Sequence, residues 1–132
     1  MSDKSIAQKL AIMPGARVWL SDAAHRGRIG PLPGTAEYVG ELAAASVGLL
    51  FAPDSASLHQ SLAAHGDRLA RLDLVWVVYP KGGRADINRD SLWPILAELD
   101  MRPVSQVAID DVWSALRFRA NRPGEDPFTA GR

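Results

Sequence analysis

Apolar positions run unbroken in two short stretches of this chain, recur at helical spacing between and beyond them, and alternate with polar ones near the C-terminus. Residues 74–79 (Leu-Val-Trp-Val-Val-Tyr) are all apolar, β-branched or aromatic, the pattern of a strand covered on both faces. Residues 46–52 (Ser-Val-Gly-Leu-Leu-Phe-Ala) form a similar run, closed by Pro53-Asp54. Between them, Leu58, Leu62, Leu69 and Leu72 predict a helix over 57–72, with Ser57 and Gln60 fitting a capping box. Gly66 weakens that helix by about 1 kcal/mol relative to Ala. Nearer the N-terminus, residues 5–12 read as a short helix capped by Ser5 or Asp3, with Ile6, Leu10 and Ile12 as its apolar contacts. Pro14-Gly15 stops it, and Arg17-Val-Trp-Leu20 begins the first strand.

Residues 21–34 carry Gly27, Gly30-Pro31 and Pro33-Gly34, which predicts a long loop or a loop with one turn of helix. Residues 35–45 support two readings, a short strand at Tyr38-Val39 or a helical turn over Glu41 to Ala45. After the 74–79 strand comes a helix ending near Met101. If Asp90 or Ser91 caps it, Pro94 falls in the first turn, whereas a cap at Asn88 sets Pro94 deeper and implies a kink. Residues 103–109 then alternate as a strand, Asp110-Asp111 turns the chain, and residues 112–119 alternate again. The hairpin so formed should have a half-exposed last strand, with Trp113 and Phe118 on opposite faces and Arg117 and Arg119 on the wetter one. This order predicts an α/β fold: a mainly parallel sheet flanked by helices, with right-handed crossovers and a C-terminal antiparallel hairpin. The strands at Arg17, Ser46 and Leu74 should be parallel neighbours. One domain is expected over residues 1–120, and residues 121–132, with little to bury, are expected to be a flexible tail.

Charge narrows the function classes only a little. Lys and Arg total 15 and Asp and Glu 15, so no net field draws the chain to nucleic acid or an anionic membrane. Nucleic-acid binding through Arg117 and Arg119 is disfavoured further because no module signature accompanies them. Cysteine is absent, which excludes disulfides, thiolate chemistry and cysteine-bound metal. His59 and His65 lie on different faces of their helix and His25 is remote from both, so no metal set is expected. The opening Met-Ser-Asp-Lys-Ser-Ile lacks a signal-peptide pattern, and no apolar run nears the roughly 18 residues of a membrane span. A cytoplasmic location is the expectation.

The densest candidate chemistry follows the 74–79 strand. Pro80 should end the ladder, Gly82-Gly83 free the backbone, and Lys81 and Arg84 add positive charge. Open α/β sheets bind ligands outside the carboxyl ends of their strands, and glycine amides beside cations suit phosphate or carboxylate. His25 and Arg26, after the first strand, are expected to form the opposing wall, so that Lys81, Arg84 and His25 converge on one concavity. Asp86-Ile-Asn-Arg-Asp90 opens like a calcium loop but has Ser91 where a glycine is needed and Ala97 where a glutamate is, so helix capping explains it better. Asp110-Asp111 reads as a turn, and no serine sits in a nucleophile elbow. The four tryptophans are core candidates, although Trp113 is also available to a partner, and covering a half-exposed last strand would favour a homodimer.

Lys9-Leu-Ala-Ile-Met-Pro-Gly-Ala-Arg-Val18 resembles the lead-in to the first strand of class I methyltransferases, and the closing strand, helix and hairpin resemble the end of that fold. Trp76 to Lys81, Asp86-Ile-Asn-Arg-Asp90 and Asp110-Asp-Val-Trp-Ser-Ala-Leu-Arg-Phe-Arg119 together are similar to a family of small bacterial proteins catalogued only as a domain of unknown function. The resemblance spans residues 4–120. It implies a Rossmann-like fold, a truncated form of the methyltransferase one, and no activity. The chain departs from the methyltransferase pattern after the first strand, where Ser21-Asp-Ala-Ala-His-Arg-Gly-Arg28 lacks the paired glycines that let a backbone approach S-adenosylmethionine. Two readings follow. In one, a domain without catalysis binds a small anionic ligand or a protein partner through Lys81, Gly82, Gly83, Arg84, His25 and Arg26. In the other, a divergent S-adenosylmethionine-dependent enzyme contacts its cofactor through Asp22. An open cleft after the first strand favours the enzyme, and a loop folded into it favours binding.

Overall fold

A computed structural model describes residues 5–82 and 86–125. Their strands form one sheet in the order β2-β1-β3-β4-β6-β5. These are β1 at Arg17–Leu20, β2 at Glu37–Tyr38, β3 at Val47–Phe51, β4 at Leu74–Pro80, β5 at Met101–Ala108 and β6 at Trp113–Ala120. β1 pairs parallel with β2 and β3, and β3 pairs parallel with β4 from Val47↔Leu74 to Phe51↔Val78. The strands starting near Arg17, Ser46 and Leu74 are therefore parallel neighbours, as expected. β6 is inserted antiparallel between β4 and β5.

Both faces of the sheet are covered, which is why β3 and β4 read as unbroken apolar runs. On one face Leu50, Val75, Val77, Tyr79, Leu116 and Phe118 pack beneath α3 (Ser55–Leu69) and α4 (Arg89–Ala97), which contribute Leu58, Leu69, Leu92 and Leu96. On the other, Leu49, Phe51, Trp76, Val78 and Trp113 pack beneath α1 (Ile6–Lys9) and α2 (Arg26–Ile29), which contribute Ala7 and Ile29. Leu10 joins that second core just past α1, and its carbonyl accepts a 2.9 Å hydrogen bond from the buried Trp76 Nε1. Gly48 lets α3 approach β3 closely, for a Cβ there would lie 2.9 Å from methyls of Leu69 and Leu72. Trp113 and Phe118 take opposite faces, and Arg117 and Arg119 stand half-buried on the side of Trp113, while Phe118 is 1% exposed on the other.

Several boundaries differ from the expectations. α1 is a single turn, capped by Ser5 with Gln8 reciprocating. The loop after β1 holds a 3₁₀ turn at Ala23–His25 followed by α2. Residues 35–45 contain both candidates, the short β2 and a 3₁₀ turn at Leu42–Ala44. α3 is capped by Asp54, whose carboxylate accepts from the Ser57 amide at 2.8 Å, and so begins before the position expected from Ser57. α4 is capped by Asn88, paired reciprocally with Ser91, which puts Pro94 inside the helix on an exposed position.

β4 ends at Pro80, as expected, with the proline itself still paired. Pro80 pairs opposite Trp113, and the Lys81 amide donates to Val112 O at 2.8 Å. Val78 directs its carbonyl toward β3, where Ala52 N donates to it, and period two sends the backbone of Pro80 the same way. β3 has ended at Phe51 by then, so the missing proline donor forfeits no ladder bond.

The half-exposed last strand is a further correction. β6 lies inside the sheet with Trp113 to Leu116 buried, and β5 is the edge. Pro103, a register shift between Pro103 and Ser105, and the 49% exposed Val104 mark that edge. Of the expected tail, residues 126–132 lie outside the described residues. Residues 121–125 turn back onto the hairpin: Asn121 N donates to Asp100 O at 2.7 Å, and Glu125 accepts from Arg119 at 2.8 and 3.0 Å and pairs with Arg102 at 3.3 Å. Among the described residues no helix is long and apolar enough to cross a membrane.

Candidate functional site

After β1 the chain winds outward to β2, then returns to the far side of β1 to form β3. This reversal makes the crevice beyond the carboxyl ends of β1 and β3 the topological switch point, where open α/β sheets hold ligands. Ser21, the first residue past β1, bridges the two strands: its amide donates to Leu49 O at 3.0 Å and its Oγ accepts from Phe51 N at 2.7 Å. Asp22 then caps the 3₁₀ turn, accepting from Ala24 N at 3.0 Å.

That turn carries His25 back over the sheet. Its imidazole stacks on Phe51, ring centroids 4.2 Å apart and planes 6° from parallel, and meets Trp113 edge-on at 5.2 Å. Phe51 and Trp113 meet at 5.7 Å, so rings from the loop, β3 and β6 form one cluster. His25 Nδ1 accepts from Arg28 Nε at 3.0 Å, while Nε2 lies 3.7 Å from the Asp22 carboxylate. The guanidinium of Arg28 lies over Trp113, 5.5 Å from the ring centroid, and pairs with Asp110 at 3.3 Å. Burial pushes the Asp110 carboxyl up, but the amides of Trp113 and Val112 together with Arg28 outweigh it and hold the group below the usual carboxylate range. Asp110 is thus an ionised turn former and an anchor for Arg28.

Arg26 faces a different neighbour. Its Cζ lies 4.7 Å from the Tyr38 ring centroid, and Tyr38 Oη donates to Gly30 O at 2.8 Å. Burial raises the Tyr38 phenol and the Arg26 charge partly offsets that rise. A cavity of about 80 Å³ beside β1 and β2 is lined by Arg26 and Tyr38, but by neither His25 nor Lys81.

On the β4 side, Lys81 is half-buried and Gly82 exposed at φ +75°. Nothing lies within 4 Å of a Cβ built on Gly82, so the glycine is needed for its backbone conformation and not for a close contact. Gly83 and Arg84 lie outside the described residues, and with them the expected convergence of Lys81, Arg84 and His25. Asp86 accepts from the amide and hydroxyl of Ser55 at 2.8 and 2.7 Å; the hydroxyl bond first, then the amide, holds its carboxyl below the usual range. Asp86 and Asn88 thus serve the starts of α3 and α4, as the capping interpretation expects. Among the described residues no group of three or more acidic or histidine side chains could hold a metal ion.

Asp22, His25 and Arg26 therefore follow β1, and Lys81 and Gly82 follow β4, all at the carboxyl edge of the parallel strands. Phe51, central to the arrangement, carries no site signal in the sequence: it reads as one more residue of an apolar run, and its ring partners come from distant segments.

The result is a Rossmann-like α/β domain whose switch-point crevice is covered by its own loop. Known structures share that fold. A Streptococcus agalactiae protein of the NADB-Rossmann superfamily superposes with a TM-score of 0.59 at 15% identity, over 98% of this chain and 72% of its own. A proposed tRNA (m1A22) methyltransferase of Streptococcus pneumoniae, solved with S-adenosyl-L-methionine, gives 0.56 at 14% identity, over 98% and 77%. An uncharacterised Listeria monocytogenes protein gives 0.55 at 11% identity, over 98% and 71%. At such identities the likeness is one of fold. No family model matches the chain, and no curated protein matches it.

Proposed function

We propose that this chain is a Rossmann-like binding domain that takes a small anion at its carboxyl edge and does not use S-adenosylmethionine. The stack of His25 on Phe51, at 4.2 Å and 6°, carries the reading. A planar base at the switch point would need such a ring face, and the chain's own imidazole already covers it. Admitting a cofactor means breaking that stack and moving a turn held by Ser21 and Asp22. The residues after β1 do not fit the group either, since they lack the paired glycines that close backbone approach requires. For an anion the donors would be the Lys81 ammonium, the amides around Gly82 and Gly83, and Arg84; His25 already accepts from Arg28 and lies beside Asp22, and Arg26 lies over Tyr38. The Lys81 amide is committed to Val112 O, so its contribution is the side chain.

Thermal melts with inorganic phosphate, citrate and S-adenosylmethionine test this. Phosphate or citrate should raise the melting temperature of the parent, because a ligand of the folded state stabilises by mass action. The double variant Lys81→Ala, Arg84→Ala should lose that rise. Stabilisation by S-adenosylmethionine instead would replace this reading with a divergent methyltransferase-like enzyme in which Asp22 contacts the cofactor. The fold shared with a protein solved with that molecule keeps the alternative in play.

A further inference from the structure

A further concavity lies at the other end of the sheet. A cavity of about 490 Å³ opens at the amino edge, where Arg17, Val47 and Leu74 begin β1, β3 and β4. β6 runs antiparallel, so its later residues reach the same edge, and Arg117, paired opposite Trp76, lines the cavity. We propose that this cavity is a second ligand site, taking the carboxylate of a small molecule with an apolar body.

Arg117 carries the argument. Its Nε is shielded from solvent and has no hydrogen-bond partner among the described residues. A guanidinium is always charged and has five N–H donors to satisfy, and a shielded donor without a partner is costly. Asp73 lines the same cavity, yet none of the ion pairs among the described residues joins it to Arg117. Arg17 supplies a second guanidinium, oriented by the bond from its Nε to Ala44 O at 2.6 Å. Two arginines against one aspartate leave a single positive charge, which a monocarboxylate matches better than a phosphate dianion facing Asp73 would. A carboxylate also suits the planar fork of arginine. Pro14 and Leu74 supply apolar wall beside the hydroxyl of Ser46, with Met13 at 67% exposure, the most exposed large apolar side chain described. An exposed, adaptable methionine beside an unsatisfied guanidinium suits a ligand with a charged head and an apolar tail.

Titration of the ¹⁵N-labelled chain with hexanoate, followed by amide chemical shifts, tests the site, with hexanol and inorganic phosphate as controls. Hexanoate should give saturable shifts at Ala16, Arg17, Ser46 and Leu74 and leave Asp22 and Lys81 unmoved, which separates this edge from the carboxyl one. Arg117→Met, which keeps the apolar stem, should weaken binding about tenfold or more, the loss of a bidentate charged pair, and should itself melt higher than the unliganded parent. Should that variant fail to fold, Arg17→Gln on the exposed rim and Arg117→Lys, which keeps charge without the fork, give the same reading through weakened hexanoate binding. Lack of saturation, equal shifts from hexanol, shifts at Ala16, Arg17, Ser46 and Leu74 from phosphate but not from hexanoate, or undiminished binding in the variants would each overturn the proposal.

Discussion

Phe51 belongs both to the core and to the candidate site. Its ring is 4% exposed as the last residue of β3, and its outer face carries the His25 stack. Replacing each partner should separate the two roles. Phe51→Ala deletes a buried ring and should cost about 3–5 kcal/mol in urea unfolding. His25→Ala removes the stacking ring together with its hydrogen bond from Arg28 and should cost about 0.5–1.5 kcal/mol. If the two losses prove equal, the imidazole is part of the core and the crevice is no site. None of this is legible from residue types: beside Arg26, His25 reads as a wall for an anion, because a histidine's ring neighbours cannot be read from its sequence neighbours.

Helix starts show how much depends on one side chain. Ser57 with Gln60 has the form of a capping box, yet Asp54, three residues earlier, holds the Ser57 amide and sets the start of α3. Both patterns satisfy local rules, and the choice rests on where β3 delivers the chain. The return of residues 121–125 is a second case, since Pro123 and Gly124 suggest a tail while Glu125 clamps Arg119 and Arg102. Its hydrogen bond from Arg119, then the Arg122 amide, lower the Glu125 carboxyl from an ordinary 4.5 to about 2. A carboxyl depressed in the folded state stabilises above its unfolded value and loses that contribution as pH falls through the folded one. Parent and Glu125→Gln should therefore differ in stability at neutral pH, with the gap closing between about pH 4.5 and 2 and shrinking in salt. A gap unchanged across that window would mean that the ionised clamp contributes nothing to folding.

At the scale of the molecule, the position of β6 changes what a second copy could touch. A dimer through the last strand is the natural expectation when that strand is taken as an edge, but β6 has neighbours on both sides and Trp113 is buried against His25 and Phe51. A homodimer is accordingly proposed through β5, at the stretch where Val104 stands exposed. Light scattering at high micromolar concentration should show a dimer for the parent and a monomer for Val104→Lys, because an inserted charge blunts edge pairing. A monomeric parent would dispose of the idea, and a dimer indifferent to the substitution would move the contact elsewhere.

The sequence alone determined the α/β class, the parallel trio β1, β3 and β4, the two faces of the terminal hairpin, and the loops at the carboxyl edge. Those follow from short-range periodicity: a run apolar on both faces must be covered on both, and alternating strands and helices wind in one hand. Tertiary structure alone decided that β6 enters between β4 and β5, that Pro80 stays in the ladder because β3 has already ended, and that His25 closes on Phe51. It also decided that Arg117 lines a cavity without a hydrogen bond for its Nε among the described residues. Each depends on segments far apart in the chain, whose pairing is chosen by the burial they gain together and not by any preference of the residues themselves.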